Sequence, residues 1–137
     1  MAELSKARTL NVSINRDPNT VYEFVSNPAN FPKWAKAFCR SIKPSGSEWV
    51  AETPQGPVKI SFVRKNDYGL LDHYVNPAPG VEVFVPMRVV PNGLGSEMIF
   101  TLFQISGMSD EAFTRDAELV RQDLDSLKRL MEQSTAG

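Results

Sequence analysis

Apolar positions in this chain follow two rhythms. From residue 7 to 15 they alternate, with Leu10, Val12 and Ile14 on one side and Thr9, Asn11, Ser13 and Asn15 on the other. Period two over that length predicts a half-buried strand. Far downstream the step lengthens. Phe113, Ala117, Val120, Leu124, Leu127 and Met131 follow one another at steps of four and three, which places them on one face of a helix. Arg115, Glu118, Arg121, Asp125, Lys128 and Arg129 occupy the other face. The pattern predicts one amphipathic helix over 109–133, capped by Ser109 or Asp110, with Glu111 favouring its first turn. The tail from Ser134 to Gly137 is expected to fray.

Between these ends the punctuation is dense. Asp17 before Pro18 predicts a capped short helix with Val21, Phe24 and Val25 as its apolar stripe. A second short helical stretch is expected from Pro28 to Ala37, where Phe31, Trp34 and Phe38 share a face. Runs separated by Pro, Gly, Asn and Ser then predict antiparallel strands at 38–44, 47–53, 57–65, 69–76, 81–90 and 96–104. Helices grouped at the ends of an antiparallel meander define an α+β domain, here one domain over 1–137. The long helix needs an apolar partner, and the sheet is the only sizeable one. A helix laid on a strongly bent sheet can leave a gap, and an apolar gap is a ligand site.

Composition narrows the classes. At 137 residues the chain is long enough to bury a core without metal or disulfide support. The net charge of −1 gives no field for a polyanion, and Lys33, Lys36 and Arg40 are its densest basic group, so no nucleic-acid partner is expected. Cys39 is the single cysteine and His73 the single histidine, which leaves no internal disulfide and no zinc set. Met1 to Lys6 is polar and lacks the apolar stretch of a signal peptide, and no window approaches the ~18 apolar residues of a membrane span. A cytoplasmic location is the expectation.

Certain strings carry a family likeness. Val12-Ser13-Ile14-Asn15-Arg16-Asp17-Pro18 is followed by Val21-Tyr22-Glu23-Phe24-Val25, then Asn27-Pro28-Ala29-Asn30-Phe31-Pro32-Lys33-Trp34. With the strand Glu97 to Phe103 and the closing helix, this order resembles the START-like superfamily, also called SRPBCC or helix-grip. That group includes pollen-allergen-like proteins, lipid-transfer START domains and polyketide cyclase/aromatase proteins, and has no shared catalytic signature. The resemblance implies a seven-stranded curved antiparallel sheet gripping the C-terminal helix, two short helices after the first strand, and an internal apolar cavity. It implies a lipid- or polyketide-like ligand and no cofactor. A polyketide cyclase or dehydratase is the alternative, and a non-catalytic dimeric interaction protein a third.

Strand phase nominates the site residues. In Leu71-Asp72-His73-Tyr74-Val75, the odd positions point inward, so His73 does too. It is either a core histidine or the group that orients a ligand or moves a proton, and it is the catalytic candidate if there is one. Arg88 belongs to the outward phase unless a bulge at Pro86 turns it inward to a ligand carboxylate. Asp72 is out of phase with His73, and Glu97 reads as a strand-edge charge. Phe62, Leu71, Val85, Met87 and Phe100 are expected to line the cavity from the strands, Trp34 from the second short helical stretch, and Phe113 and Val120 from the long helix. Cys39 reads as a small buried hydrophobe, and Gly93-Leu94-Gly95 precedes a strand rather than a phosphate-binding helix. The strand at 96–104 is apolar in both phases, which allows a homodimer contact.

Overall fold

A computed structural model describes residues 4–133; the tail expected to fray lies outside them. Strand β1 (Ala7–Ile14) buries Leu10, Val12 and Ile14, as its alternation requires. In helix α1 (Pro18–Val25) the Asp17 carboxylate accepts the Thr20 amide at 3.0 Å and the Thr20 hydroxyl at 2.7 Å. A 3-10 turn (Pro28–Asn30) leads into α2, Phe31–Trp34. The second helical stretch is therefore shorter than expected. Ala35 ends it by leaving the helical region, at φ −93° and ψ 53°.

Strands β2 (Ser41–Ser45), β3 (Glu48–Thr53), β4 (Gly56–Phe62), β5 (His73–Ala78) and β6 (Val81–Val85) form one antiparallel sheet in chain order. Strands β7 (Met87–Asn92) and β8 (Gly95–Phe103) join β1 in a second sheet, ordered β1-β8-β7. The expected single seven-stranded sheet is thus two sheets, of five and three strands.

Pro86 is the physical reason. The run 81–90, expected to be one strand, breaks there, because proline has no N–H to donate to a ladder. The Met87 amide just after it donates to the Asp72 carboxylate at 2.8 Å instead. The Pro86 carbonyl accepts the Thr101 amide at 3.0 Å. On its other side β7 holds the segment before β5, through Leu71 N–H to Met87 O at 2.8 Å and Val89 N–H to Gly69 O at 3.0 Å. Gly69 has φ +71°, and a Cβ there would lie 2.2 Å from the Val89 carbonyl oxygen, so only glycine fits this approach. Phase survives the break: Val85, Met87 and Val89 are all buried.

Helix α3 (Asp110–Gln133) starts at Ser109, whose hydroxyl accepts the Ala112 amide at 3.1 Å. It packs along β1 and against α2. β1 is an edge strand, and α3 covers its free edge. Arg121 donates to the Asn11 carbonyl at 2.9 Å, Lys128 donates to the Ser13 carbonyl at 2.8 Å, and Glu132 accepts the Asn15 amide at 2.8 Å. Leu124, Leu127 and Met131 enter the continuous core with the inward residues of β1, α1 and β8. Phe113, Ala117, Val58 and Val85 are buried but stand outside that cluster.

Candidate ligand site

Register fixes what the five-stranded sheet turns inward. Trp49, Ile60, Val75 and Val83 lie opposite one another across β3–β6, and Phe62, His73 and Val85 form the next row. Ile60 is fully buried, whereas Trp49, Val75, Val83 and Phe62 remain partly accessible. On the three-stranded sheet, Leu10, Phe100 and Met87 make a matching row. The concave side is therefore apolar across both sheets.

An aromatic cluster fills its centre. The Phe31 ring lies 5.2 Å from Trp34, 5.7 Å from Phe38, 5.4 Å from Phe62 and 5.8 Å from His73. His73 is also 5.3 Å from Phe62 and 6.4 Å from Phe100, so it stands where the two sheets face each other. Its Nδ1 lies 3.0 Å from the Leu71 carbonyl oxygen. A carbonyl can only accept, so Nδ1 carries the proton. Burial pushes the imidazole pKa below its ordinary value, which keeps the ring neutral at pH 7 and leaves Nε2 an acceptor.

The structure brings most of the nominated residues to this region. His73, Phe62 and Val85 share a row, Met87 and Phe100 another, and Trp34 touches Phe31. Leu71 is buried beside Phe62 at a small hollow, Val120 packs half-buried against the core, and Phe113 is buried in the first turns of α3. Arg88 does not join them. It is exposed on the outer face, opposite Ile99, because Pro86 interrupts the ladder without adding a residue. Glu97 is on that outer face too, where Asn11, Ser13 and Asn92 donate to it and hold its carboxyl below the ordinary range.

Phe31, the hub of the cluster, was legible only as a face-mate of Trp34 and Phe38. Asp123 was missed. It interrupts the apolar face between Val120 and Leu127, and that acid at an inward helical position was the available signal. Asp123 is only 8% exposed and accepts the Ala37 amide at 2.9 Å, with the Phe38 amide also directed at it. Burial pushes its carboxyl up to about 6. Cys39 is buried nearby, its thiol pushed up to about 11 by burial and then by the Asp123 charge. The Trp34 indole N–H is buried and has no hydrogen-bond partner among the described residues.

Two hollows stand out among the described residues. One, of about 40 Å³, is lined by Tyr22, Ser26, Phe62, Lys65, Leu71 and Asp72 among others, and has room for water rather than for an organic guest. The other, about 430 Å³ and open, lies on the polar side of α3 around Asp110 and Arg115. Neither is between α3 and the five-stranded sheet. Among the described residues no three His, Cys, Asp or Glu side chains gather as metal ligands, and no helix is long and apolar enough to cross a membrane.

No family model matches the chain, and no curated protein does. Solved structures do. A protein called XoxI from Bacillus cereus is similar at TM-score 0.74 and 18% identity, over 91% of this chain and 94% of that one. A START superfamily protein from Mycobacterium smegmatis matches at TM-score 0.71 and 10% identity, over 93% and 97%. Ara h 8.0201 matches at TM-score 0.66 and 12% identity, over 92% and 97%. The chain has the START-like, helix-grip fold, and it shares the architecture common to these structures.

Proposed function

We propose that the protein binds an apolar or aromatic small molecule on the concave side of its sheets, beneath the N-terminal half of α3. The reading rests on one observation: Trp49, Phe62, Val75 and Val83 belong to the inward rows of the five-stranded sheet yet stay partly accessible. Inward apolar surface left accessible is surface a guest can remove from water, at about 25 cal/mol per Å². The architecture shared with a START superfamily protein supports the same class of ligand.

His73 gives this site its polar group. Its neutral ring offers Nε2 as an acceptor, so a ligand hydroxyl or amide N–H is the group it orients. A ligand carboxylate finds no inward cation, since Arg88 faces out. The ligand is therefore uncharged at its buried end. The test is a titration of phenolic aromatics and fatty alcohols followed by amide NMR shifts. Shifts centred on Phe62, His73 and Val75 are expected; shifts confined to the outer face, or none for any compound, overturn the reading.

A further inference from the structure

The joint between α2 and α3 holds two buried polar groups in poor circumstances. Asp123 is 8% exposed, and no ion pair to it exists among the described residues. Its bonds are to backbone amides, Ala37 N–H at 2.9 Å and Phe38 N–H. Trp34, which ends α2, is 2% exposed with its indole N–H unpartnered. An unpaired buried donor destabilises the state that buries it, and a buried charge without a counter-charge does so more. Both groups would regain hydration if the segment carrying Trp34 and Ala37 moved off α3. That segment also carries Phe31 and Phe38, so its removal would uncover Phe62 and His73.

We propose that residues 31–39 form a hinged lid over the aromatic interior, fastened to α3 by Asp123, with the buried Asp123 carboxylate and the unpartnered Trp34 N–H lowering the cost of opening. The inference rests on the small-molecule reading for its purpose: it explains how a guest reaches an interior that Phe31 occupies in the closed form. The hinges are the turn Pro28–Asn30 and the far end at Arg40, whose amide donates to Glu52 O at 2.8 Å. Ala35 already departs from helical geometry between them.

The direction of the pH response follows from linkage. In the closed form the Asp123 carboxyl is pushed up to about 6, against an ordinary 3.8 once hydrated. Protonation therefore favours the closed form, and the lid opens more readily as pH rises through that range. The groups around Asp123 do not reverse this. Cys39, on the lid, stays a neutral thiol. Lys33, Lys36 and Arg40 of the same segment are exposed. On α3, Arg121 and Lys128 reach the β1 edge, and Asp116 is itself partly buried with its carboxyl raised. Arg8, the one charged residue of β1, is exposed opposite Leu102.

The experiment is amide hydrogen exchange at Ala37, corrected for intrinsic rate, on wild type, Asp123→Asn and Trp34→Phe between pH 5 and 7.5, with β8 amides as reference. Stopped-flow uptake of 1-anilinonaphthalene-8-sulfonate is run on the same samples. Opening at Ala37 is expected to rise about tenfold or more with pH in wild type, at about tenfold per pKa unit of difference. Asp123→Asn should lose that dependence and open less at pH 7.5, Trp34→Phe should also open less, and dye uptake should follow. Glu118→Gln, on the exposed face, should behave as wild type. The lid is overturned if Ala37 exchanges only with the β8 core, or if its opening is independent of pH in wild type. A wild type that takes up no dye while Ala37 opens as described keeps the lid and counts against the small-molecule reading instead.

Discussion

The two halves of α3 are built from the same apolar stripe and meet different surroundings. Leu124, Leu127 and Met131 enter a continuous core, with Leu124 and Leu127 entirely buried. Phe113 and Ala117 are also buried but stand outside that core, and the five-stranded sheet leaves the inward Val75 and Val83 partly accessible. One half acts as structure. The other is buried apart from that core and is where the proposed ligand would lie. A regular heptad-like pattern on a helix therefore reports that a face will be covered, not what covers it or how tightly.

The sharpest way to break this comparison is truncation at both ends. Leu127→Ala should cost about 3–4 kcal/mol in chemical denaturation, as a fully buried leucine with no room to relax does. Phe113→Ala, though it removes a larger side chain, should cost less, about 2 kcal/mol, because its surroundings are not continuous with the core. Equal losses would mean that the helix sits on a single solid interior.

Next in size is the pH dependence contributed by Asp123, at the boundary between the halves. Its folded-state pKa of about 6 lies above the unfolded 3.8. The folded state thus holds the proton more tightly, and stability falls as pH rises from about 4 to about 6 and stays lower beyond. The size is on the order of 2–3 kcal/mol. Asp123→Asn should flatten that part of a stability–pH curve, and an unchanged slope would remove Asp123 as its source.

Enlarging a side chain in the proposed ligand site tests the other half directly. Val75→Trp should weaken binding of an apolar ligand about tenfold or more, some 1.4 kcal/mol, while leaving the denaturation midpoint close to wild type. If it unfolds the protein instead, the space was already filled. The smallest effect belongs to the edge. Lys128→Ala removes a partly exposed contact to Ser13 O and Glu132, and should cost only about 0.5 kcal/mol. A clear gain in self-association would accompany it if that lysine guards the β1 edge.

How much of this was legible can be read residue by residue. The Asp17 cap, the inward phase of β1 and the inward turn of His73 followed from local rules, because each depends on neighbours within a few positions. Arg88 was undecided from its surroundings in the chain. Whether a proline breaks a ladder or also shifts its phase depends on the strands beside it, here Asp72 accepting the freed Met87 amide. Asp123 was passed over because a lone acid among apolar positions has no meaning until the Ala37 amide is placed opposite it, 86 residues away in sequence.

By itself the sequence determined the α+β class, the long terminal helix with its buried stripe, and the inward set of strand residues; periodicity and capping act over a turn or a hairpin, and those ranges are written in the chain. Packing between distant segments settled that the sheet divides at Pro86, that Arg88 faces outward, that Phe31 becomes the centre of the aromatic cluster, and that Asp123 ties the turn after α2 to α3. Those outcomes are contacts between segments far apart in the chain. Such contacts are set by how the curved sheets, the short helices and α3 share one volume, and no single stretch of residues specifies that sharing.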